Sequence, residues 1–183
     1  MWPRIVPLNV AAVCLCVMMG CAAQQSVPRS DFWDGDLVTV GYMIADNLAE
    51  NAAQSLGPAD PLIVASFVNV NNLEESSSFG RIIAEQIASR FVQRGQPVIE
   101  LKLRQNSIFI SEGKGELMLS RDLREISKTH NASAVVVGTY ADGRDRLYVS
   151  ARIVRPTDNI VVSSYDYGIP MGTNTMNVML RNR

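Results

Sequence analysis

Apolar side chains recur at helical spacing in the segment that begins near residue 36. Asp36 can act as the N-cap of this helix, and Gly57-Pro58 interrupts the pattern. The expected buried face consists of Leu37, Gly41, Ile44, Leu48, Ala52 and Leu56. This spacing predicts a first amphipathic helix that packs on a sheet formed by later segments.

A strand and a second helix are predicted next. Residues Leu62 to Val68 are almost continuously apolar and rich in β-branched side chains, which is typical of a strand buried on both faces. A polar loop leads into a second helical pattern, and Gly95 is well placed to end that helix in the left-handed conformation. Its expected apolar face consists of Phe79, Ile82, Ile83, Ile87, Phe91 and Val92.

The middle of the chain contains one half-exposed and one buried segment. Val98 to Arg104 alternates apolar and charged residues, which predicts a half-exposed strand near an edge of the sheet. Residues 105–117 are loop-like. Ser120 can cap a third helix that runs through His130. Ala134 to Tyr140 then has the pattern of a second fully buried strand.

Two alternating strands separated by a short turn complete the predicted sheet. Arg146 to Val154 places four apolar side chains on one face, and Pro156–Asn159 is a turn that leads into the strand Ile160 to Tyr167. Short turns between alternating strands predict an antiparallel meander. Residues 169–183 are polar and methionine-rich, and we expect this tail to be loosely ordered.

The predicted order of elements is α-β-α-β-α-β-β-β. It corresponds to one α/β domain over residues 34–168, with about three helices and a single mixed five-stranded sheet. Parallel crossovers should be right-handed, and the two fully apolar strands belong in the middle of the sheet. The expected spatial order of the strands is therefore 2-1-3-4-5.

The first 20 residues carry a different pattern. Arg4 supplies one positive charge, and the apolar stretch from Ile5 to Met19 is too short and too interrupted for a spanning helix, which needs about 20 apolar residues. It has the length of the core of a cleavable signal. Met18-Met19-Gly20-Cys21 resembles the bacterial lipobox, although the two methionines replace the usual leucine and small residue. We therefore predict a lipoprotein signal peptide at residues 1–20 and acylation of Cys21, for example by palmitate.

The positions of the cysteines agree with acylation. The chain has Cys14, Cys16 and Cys21 and none beyond, so cleavage leaves one cysteine without a disulfide partner. An uncleaved anchor, or a plain signal with a coincidental cysteine, is the alternative. Ala22 in second position favours sorting to the outer membrane under the enterobacterial rule. Residues 21–33 would then form a lipidated tether.

Composition and motifs exclude several classes of function. The mature chain would have 163 residues with 16 basic and 18 acidic side chains, hence a net charge of −2, because Arg4 is the only charge in residues 1–20. It has no basic stripe, so we expect no nucleic-acid partner. His130 is the only histidine and fits a helix end, and Gly113-Lys114-Gly115 lacks the spacing of a phosphate loop. We expect a protein that is not an enzyme, with no catalytic residues, no cofactor and no metal site.

Several short segments, taken together, resemble one family. They are Ala65-Ser66-Phe67-Val68-Asn69-Val70-Asn71-Asn72-Leu73, Ser78-Phe79-Gly80-Arg81-Ile82-Ile83-Ala84-Glu85-Gln86, Arg94-Gly95, Val98-Ile99-Glu100-Leu101, Val137-Gly138-Thr139-Tyr140 and Ala151-Arg152. In this order, over residues 61–168, they resemble the FlgO family of flagellar outer-membrane lipoproteins. The resemblance implies a fold similar to the amino-terminal domain of TolB, to the non-barrel part of the curli secretion lipoprotein and to lipoprotein activators of peptidoglycan synthases.

The same resemblance implies a function in the cell envelope. It implies a domain that faces the periplasm, is anchored in the outer membrane through lipid on Cys21, and acts with a protein partner in flagellar assembly or motility. A lipoprotein regulator of a cell-envelope enzyme such as a peptidoglycan synthase is the alternative, and a secretion-system component is a third. Fold alone does not choose between them.

Some residues of the resembling segments can be given physical roles. Asn69, Asn71 and Asn72 follow a central strand, where open α/β sheets often place binding loops, so they are candidates for a partner loop. Asparagine is also a common turn residue. Gly80 would allow the second helix to approach the first strand closely, or it is simply a tolerated small residue. Phe67 is expected in the core.

Overall fold

The helices and strands are given for residues 35–73, 77–100, 125 and 127–180, the part of the chain that the computed structural model describes. In chain order they are α1 (Leu37–Ala52), β1 (Leu62–Val64), β2 (Val68–Asn69), α2 (Ser78–Gln93), β3 (Ala134–Asp142), β4 (Arg146–Arg155), β5 (Ile160–Pro170) and α3 (Thr173–Leu180). Residues 127–130 are also helical, and Asn131 follows them with a φ of 54°. The rest of the predicted third helix, and the loop 105–117, lie outside the described residues.

The strands form one mixed five-stranded sheet in the order β1-β3-β4-β5, with β2 also paired to β3. β1 and β2 run parallel to β3, whereas β3, β4 and β5 form an antiparallel meander. Val98 makes a parallel bridge to Leu62, on the side of β1 away from β3. The predicted fold class is confirmed, and Val98 lies where the second predicted strand should begin. Residues 101–104 of that strand lie outside the described part of the chain.

The predicted strand over residues 62–68 was wrong in one respect, because it is divided into β1 and β2. Val64 is in register with Val136, and Val68 is in register with Thr139. Val68 is four residues after Val64, whereas Thr139 is only three residues after Val136. The stretch between β1 and β2 therefore contains one extra residue, as in a β-bulge. The bulge brings Phe67 into the core, where its side chain is fully buried.

Helices α1 and α2 cover one face of the sheet. Asp36 caps α1 as predicted, since its carboxylate accepts a hydrogen bond from the Val38 N–H at 3.1 Å. The predicted inner face of α1 is buried from Leu37 to Ala52. Ser163 of β5 donates a hydrogen bond to the Leu48 carbonyl at 2.9 Å, which fixes α1 against the far strand of the sheet.

The apolar face of α2 differs from the prediction at one residue. Phe79, Ile83, Ile87 and Phe91 recur every fourth residue and are buried, but Val92 is 57% exposed. The four buried residues define the side of α2 that faces the core. Val92 follows Phe91 directly, so it is rotated by about 100° around the helix axis and points away from the core. The helix ends as predicted: Gly95 has a φ of +83°, and its N–H donates to the Val92 carbonyl at 2.9 Å.

An ion pair joins the two helices at their outer surface. Asp46 of α1 accepts hydrogen bonds from Arg90 at 2.9 Å and from Arg94 at 2.8 Å. The hydrogen bond from Arg90, together with that from Arg94, holds the pKa of the Asp46 carboxyl below its usual value. Arg90 also lies over the ring of Tyr42, 5.4 Å from its centroid. The cluster therefore fixes the relative position of α1 and α2.

The expected loosely ordered tail, residues 169–183, contains regular structure over residues 169–180. Ile169 is paired with Leu147 in the sheet and is fully buried, so β5 continues to Pro170. α3 follows, and Val178 and Met179 pack against the core. The polar composition of the segment concealed these few apolar side chains, which are enough to dock a short helix. Residues 181–183 lie outside the described residues.

The face of the sheet opposite α1 and α2 is called the open face below, after the exposed side chains of Tyr148 and Arg152 on β4. Side chains alternate along β4: Leu147, Val149, Ala151 and Ile153 face the helices, so Tyr148, Ser150 and Arg152 face the other way. Ile63 and Val135 form a small buried cluster on that side, near the start of β3. Towards the carboxyl end of β3 the open face becomes polar.

Candidate partner-binding site

Tyr140 at the end of β3 holds both ends of the loop that joins β2 to α2. Its carbonyl accepts a hydrogen bond from the Val70 N–H at 2.9 Å. Its hydroxyl donates to Oγ of Ser77 at 2.6 Å, and Ser77 in turn accepts from the Gly80 N–H at 3.1 Å as the N-cap of α2. Because the tyrosine is buried, the loop starts and ends at fixed points of the core.

The start of α2 also approaches the sheet closely, as the sequence predicted. The Phe67 N–H donates to the Gly80 carbonyl at 3.1 Å, and a Cβ at Gly80 would overlap the Phe67 carbonyl. A Cβ at Gly138 would overlap the Phe67 ring. Both positions therefore require glycine, and Phe67 is the core aromatic that was expected.

Asn69 builds the turn between β2 and the loop. Its side-chain oxygen accepts a hydrogen bond from the Asn71 N–H at 2.9 Å, and its carbonyl accepts one from the Asn72 N–H at 3.1 Å. This is an Asx-type turn, in which the asparagine side chain replaces a backbone acceptor. Asn71 and Asn72 are exposed at the tip of the turn, next to Val70, which is 46% exposed. The turn explanation thus holds for Asn69, whereas Asn71 and Asn72 are exposed at the surface.

A hollow of about 80 Å³ lies on the open face beside this turn. It is lined by Ser66, Val68, Leu73, Val137, Gly138, Thr139, Ser150 and Arg152. The bulge between β1 and β2 contributes to it, because Ser66 lies in the bulge. Gly138 contributes backbone only, since a Cβ at this position would point towards the Phe67 ring on the other face of the sheet. The volume gives room for several water molecules or for the end of one side chain, since a single water needs roughly 10–15 Å³ on this measure.

Arg152 is the charged residue of this hollow. It lies on β4 in register with Val137, and its side chain is exposed. Sequence reasoning named Arg152 only as part of the family resemblance and missed Thr139 and Ser150 as site residues. The alternation of polar and apolar residues in β4 already placed Ser150 and Arg152 on one face, but the hollow depends on the bulge, which that pattern does not predict.

The other residues and features considered in the sequence lie away from this hollow or outside the described residues. Cys21 lies outside the described residues. His130 stands at the end of the helical residues 127–130, as expected. No group of three or more His, Cys, Asp or Glu that could hold a metal occurs within the described ranges. None of the helices in those ranges is long and apolar enough to cross a membrane.

In the part of the chain that the structure describes, these features define an α/β domain with α1 and α2 on one face of a mixed sheet and a polar hollow on the other. A family model described as FlgO protein matches residues 42–174, which is nearly three-quarters of the chain. The protein therefore belongs to the FlgO family. A search of curated proteins found no match.

Solved structures share this fold. The LpoB C-terminal domain from Salmonella enterica superposes with a TM-score of 0.58 at 10% identity, covering 75% of this chain and all of that domain. The LpoB C-terminal domain from Escherichia coli gives 0.57 at 10% identity, with the same coverage. At this identity the likeness establishes the fold alone. Membership of the FlgO family supports a lipoprotein with an envelope or flagellar role.

Proposed function

We propose that this protein is a periplasmic lipoprotein, anchored in the outer membrane through Cys21, with a structural or interaction role in flagellar assembly or motility. The family match over residues 42–174 carries the proposal, because it spans nearly all of the described domain. The lipobox-like Met18-Met19-Gly20-Cys21 supports the anchor. The protein acts by binding another protein and not by catalysis.

The open face is the part of the domain best suited to a protein partner. The opposite face is occupied by α1 and α2, whose apolar stripes form the main core. The open face instead presents the exposed Asn71 and Asn72 at the turn and Arg152 on β4. Hydrogen bonds to Tyr140 hold the two ends of this loop, and the Asn69 side chain holds the turn at residues 69–72, so little conformational entropy would be lost at the turn when a partner binds.

Deletion of the gene tests the proposal. Swimming in soft agar and the number of flagella per cell by electron microscopy should both decrease, and the wild-type gene should restore them. Muropeptide composition and cross-linking should stay normal. A complementing copy with Cys21→Ser should restore motility poorly, because anchoring holds the domain near its partner at a high effective concentration.

The alternative is a lipoprotein regulator of a cell-envelope enzyme such as a peptidoglycan synthase. The shared fold with the LpoB C-terminal domain is the observation that favours it. A deletion strain with normal flagella and motility but altered peptidoglycan cross-linking would replace the flagellar proposal with this one.

A further inference from the structure

The hollow on the open face combines one cation with several hydroxyl groups and apolar walls. Arg152 makes no hydrogen bond or ion pair with another residue in the described part of the chain, although its guanidinium offers five N–H donors. Ser66, Thr139 and Ser150, each of which carries a hydroxyl group, line the same space. The hollow is therefore rich in donors, and its single charged side chain is positive.

The apolar walls restrict what can enter the hollow. Val68, Leu73 and Val137 contribute aliphatic surface beside the polar groups. A ligand group that matches both parts has a short aliphatic stem and an anionic end. An aspartate or glutamate side chain has this composition, and the volume of about 80 Å³ has room for the end of one such side chain.

We propose that this hollow is a docking site for an acidic side chain of the protein partner, bound by Arg152 with hydroxyl groups around it. The proposal rests on the proposed function only in taking the ligand to be part of a protein. Arg152 would form a charge-assisted pair with the carboxylate, which can be bidentate. The fixed turn at Asn69 places Asn71 and Asn72 near the same site for further contacts.

The carboxylate of Asp166 opposes the binding of an anion. Asp166 of β5 is in register with Ser150 and therefore shares the open face, and it is exposed. It forms no ion pair with Arg152 within the described residues, so it does not neutralise the arginine by direct contact. Removal of the Asp166 charge should strengthen the binding of a carboxylate, whereas removal of the Arg152 charge should weaken it. The two substitutions therefore test the proposal in opposite directions.

A titration with a small probe tests the site directly. The mature ¹⁵N-labelled lipoprotein in detergent micelles is titrated with N-acetyl-glutamate α-amide, and with N-acetyl-glutamine α-amide at the same ionic strength. Saturable shifts of the Thr139 and Ser150 amide signals are expected with the glutamate compound only. Equal shifts with both compounds, or shifts confined to other parts of the domain, would overturn the proposal.

Matched variants assign the binding to the arginine. Arg152→Gln should raise the dissociation constant by about tenfold or more, as expected for loss of a charge-assisted hydrogen bond, and Asp166→Asn should lower it. Arg155→Gln is the control, because Arg155 lies on the same strand but is paired with Asp158 at 3.1 Å. An unchanged dissociation constant for Arg152→Gln would contradict the assignment.

Motility separates this proposal from the flagellar role. If the deletion strain is impaired but a strain with Arg152→Gln swims normally, the hollow is not where the partner binds, and the proposed flagellar role is unaffected. If the deletion strain swims normally, the flagellar role is wrong, whereas the titration still decides whether the hollow binds an acidic side chain.

Discussion

The phenolic oxygen of Tyr140 lies 2.6 Å from Oγ of Ser77, a hydrogen bond between residues that are 63 positions apart in the chain. Both residues are buried, and the Tyr140 ring also packs edge-on against Phe79, with the ring centroids 5.1 Å apart. The end of β3 is thereby tied to the first turn of α2. The loop that presents Asn71 is held between these two elements.

Replacement of Tyr140 by phenylalanine should destabilise the domain modestly. The ring contacts remain, but the hydroxyl donor is lost, and a typical net contribution of such a hydrogen bond is roughly 0.5–1.5 kcal/mol. The melting temperature should therefore fall by about 2–4 °C per kcal/mol lost. Tyr148→Phe is the control, because Tyr148 is 56% exposed, and it should change the melting temperature little. Equal effects in the two variants would contradict the role of the Tyr140 hydroxyl.

Substitution of Gly80 by alanine should be more damaging. The added Cβ would overlap the backbone carbonyl of Phe67, which cannot rotate away as a flexible side chain can. Overpacking of this kind costs roughly 1–3 kcal/mol or more, measured as the change in the urea midpoint. Gly168→Ala is the matched control, since its Cβ would only reach ordinary contact with Arg146 at 3.6 Å. A stable Gly80→Ala protein with an unshifted midpoint would show that α2 does not approach the strand as described.

Asp46 should make the stability of the domain depend on pH. Its pKa is lower in the folded state, chiefly because of the hydrogen bond from Arg90, so its contribution is present above the unfolded pKa of about 3.9 and is lost as the pH falls through the folded value. Asp46→Asn should therefore be less stable than wild type near pH 7, by roughly 0.2–1 kcal/mol for a partly exposed ion pair at the protein surface. The difference should disappear well below pH 4. A difference for Asp46→Asn that persisted at low pH would exclude the ion pair as its cause.

The sequence predicted those parts of the fold that depend on local periodicity. The stripe of α1, the caps at Asp36 and Gly95, and the order of the strands in the sheet all follow from spacing and turn residues, and they agree with the structure. The bulge at residues 65–67 could not be predicted in the same way. It depends on how Phe67 fits against Gly80 and Gly138, which are distant in the chain.

In the candidate site, too, local features could be predicted from the sequence, whereas features that depend on strand pairing could not. The turn residue Asn69 could be read from the sequence because asparagine has a local structural preference. Arg152 could not be selected from the other exposed arginines, since its position beside Ser66 results from pairing of three separate strands. A site formed across strands is visible only when their register is known.

Acylation of Cys21 is a separate prediction, made from the sequence. Radiolabelled palmitate should enter the wild-type protein, and Cys21→Ser should abolish labelling and release the protein from the membrane fraction. Removal of the lipid eliminates the apolar chains that hold the protein in the bilayer, each buried methylene contributing roughly 0.8 kcal/mol. A wild-type protein that stays unlabelled but sediments with membranes would indicate an uncleaved anchor instead.

The contact between the partner and the turn can be tested in living cells. A photoreactive phenylalanine analogue in place of Asn71 should give a discrete cross-linked species, because this residue is exposed on a turn whose shape is fixed by the Asn69 side chain. Val92 is the matched control position: it is also exposed, at 57%, but lies on α2, on the other side of the sheet. Asn69→Ala should reduce the yield at position 71, since the turn loses the hydrogen bond that defines it. Equal yields at positions 71 and 92, or a cross-link found only at position 92, would move the partner from the open face to the helices.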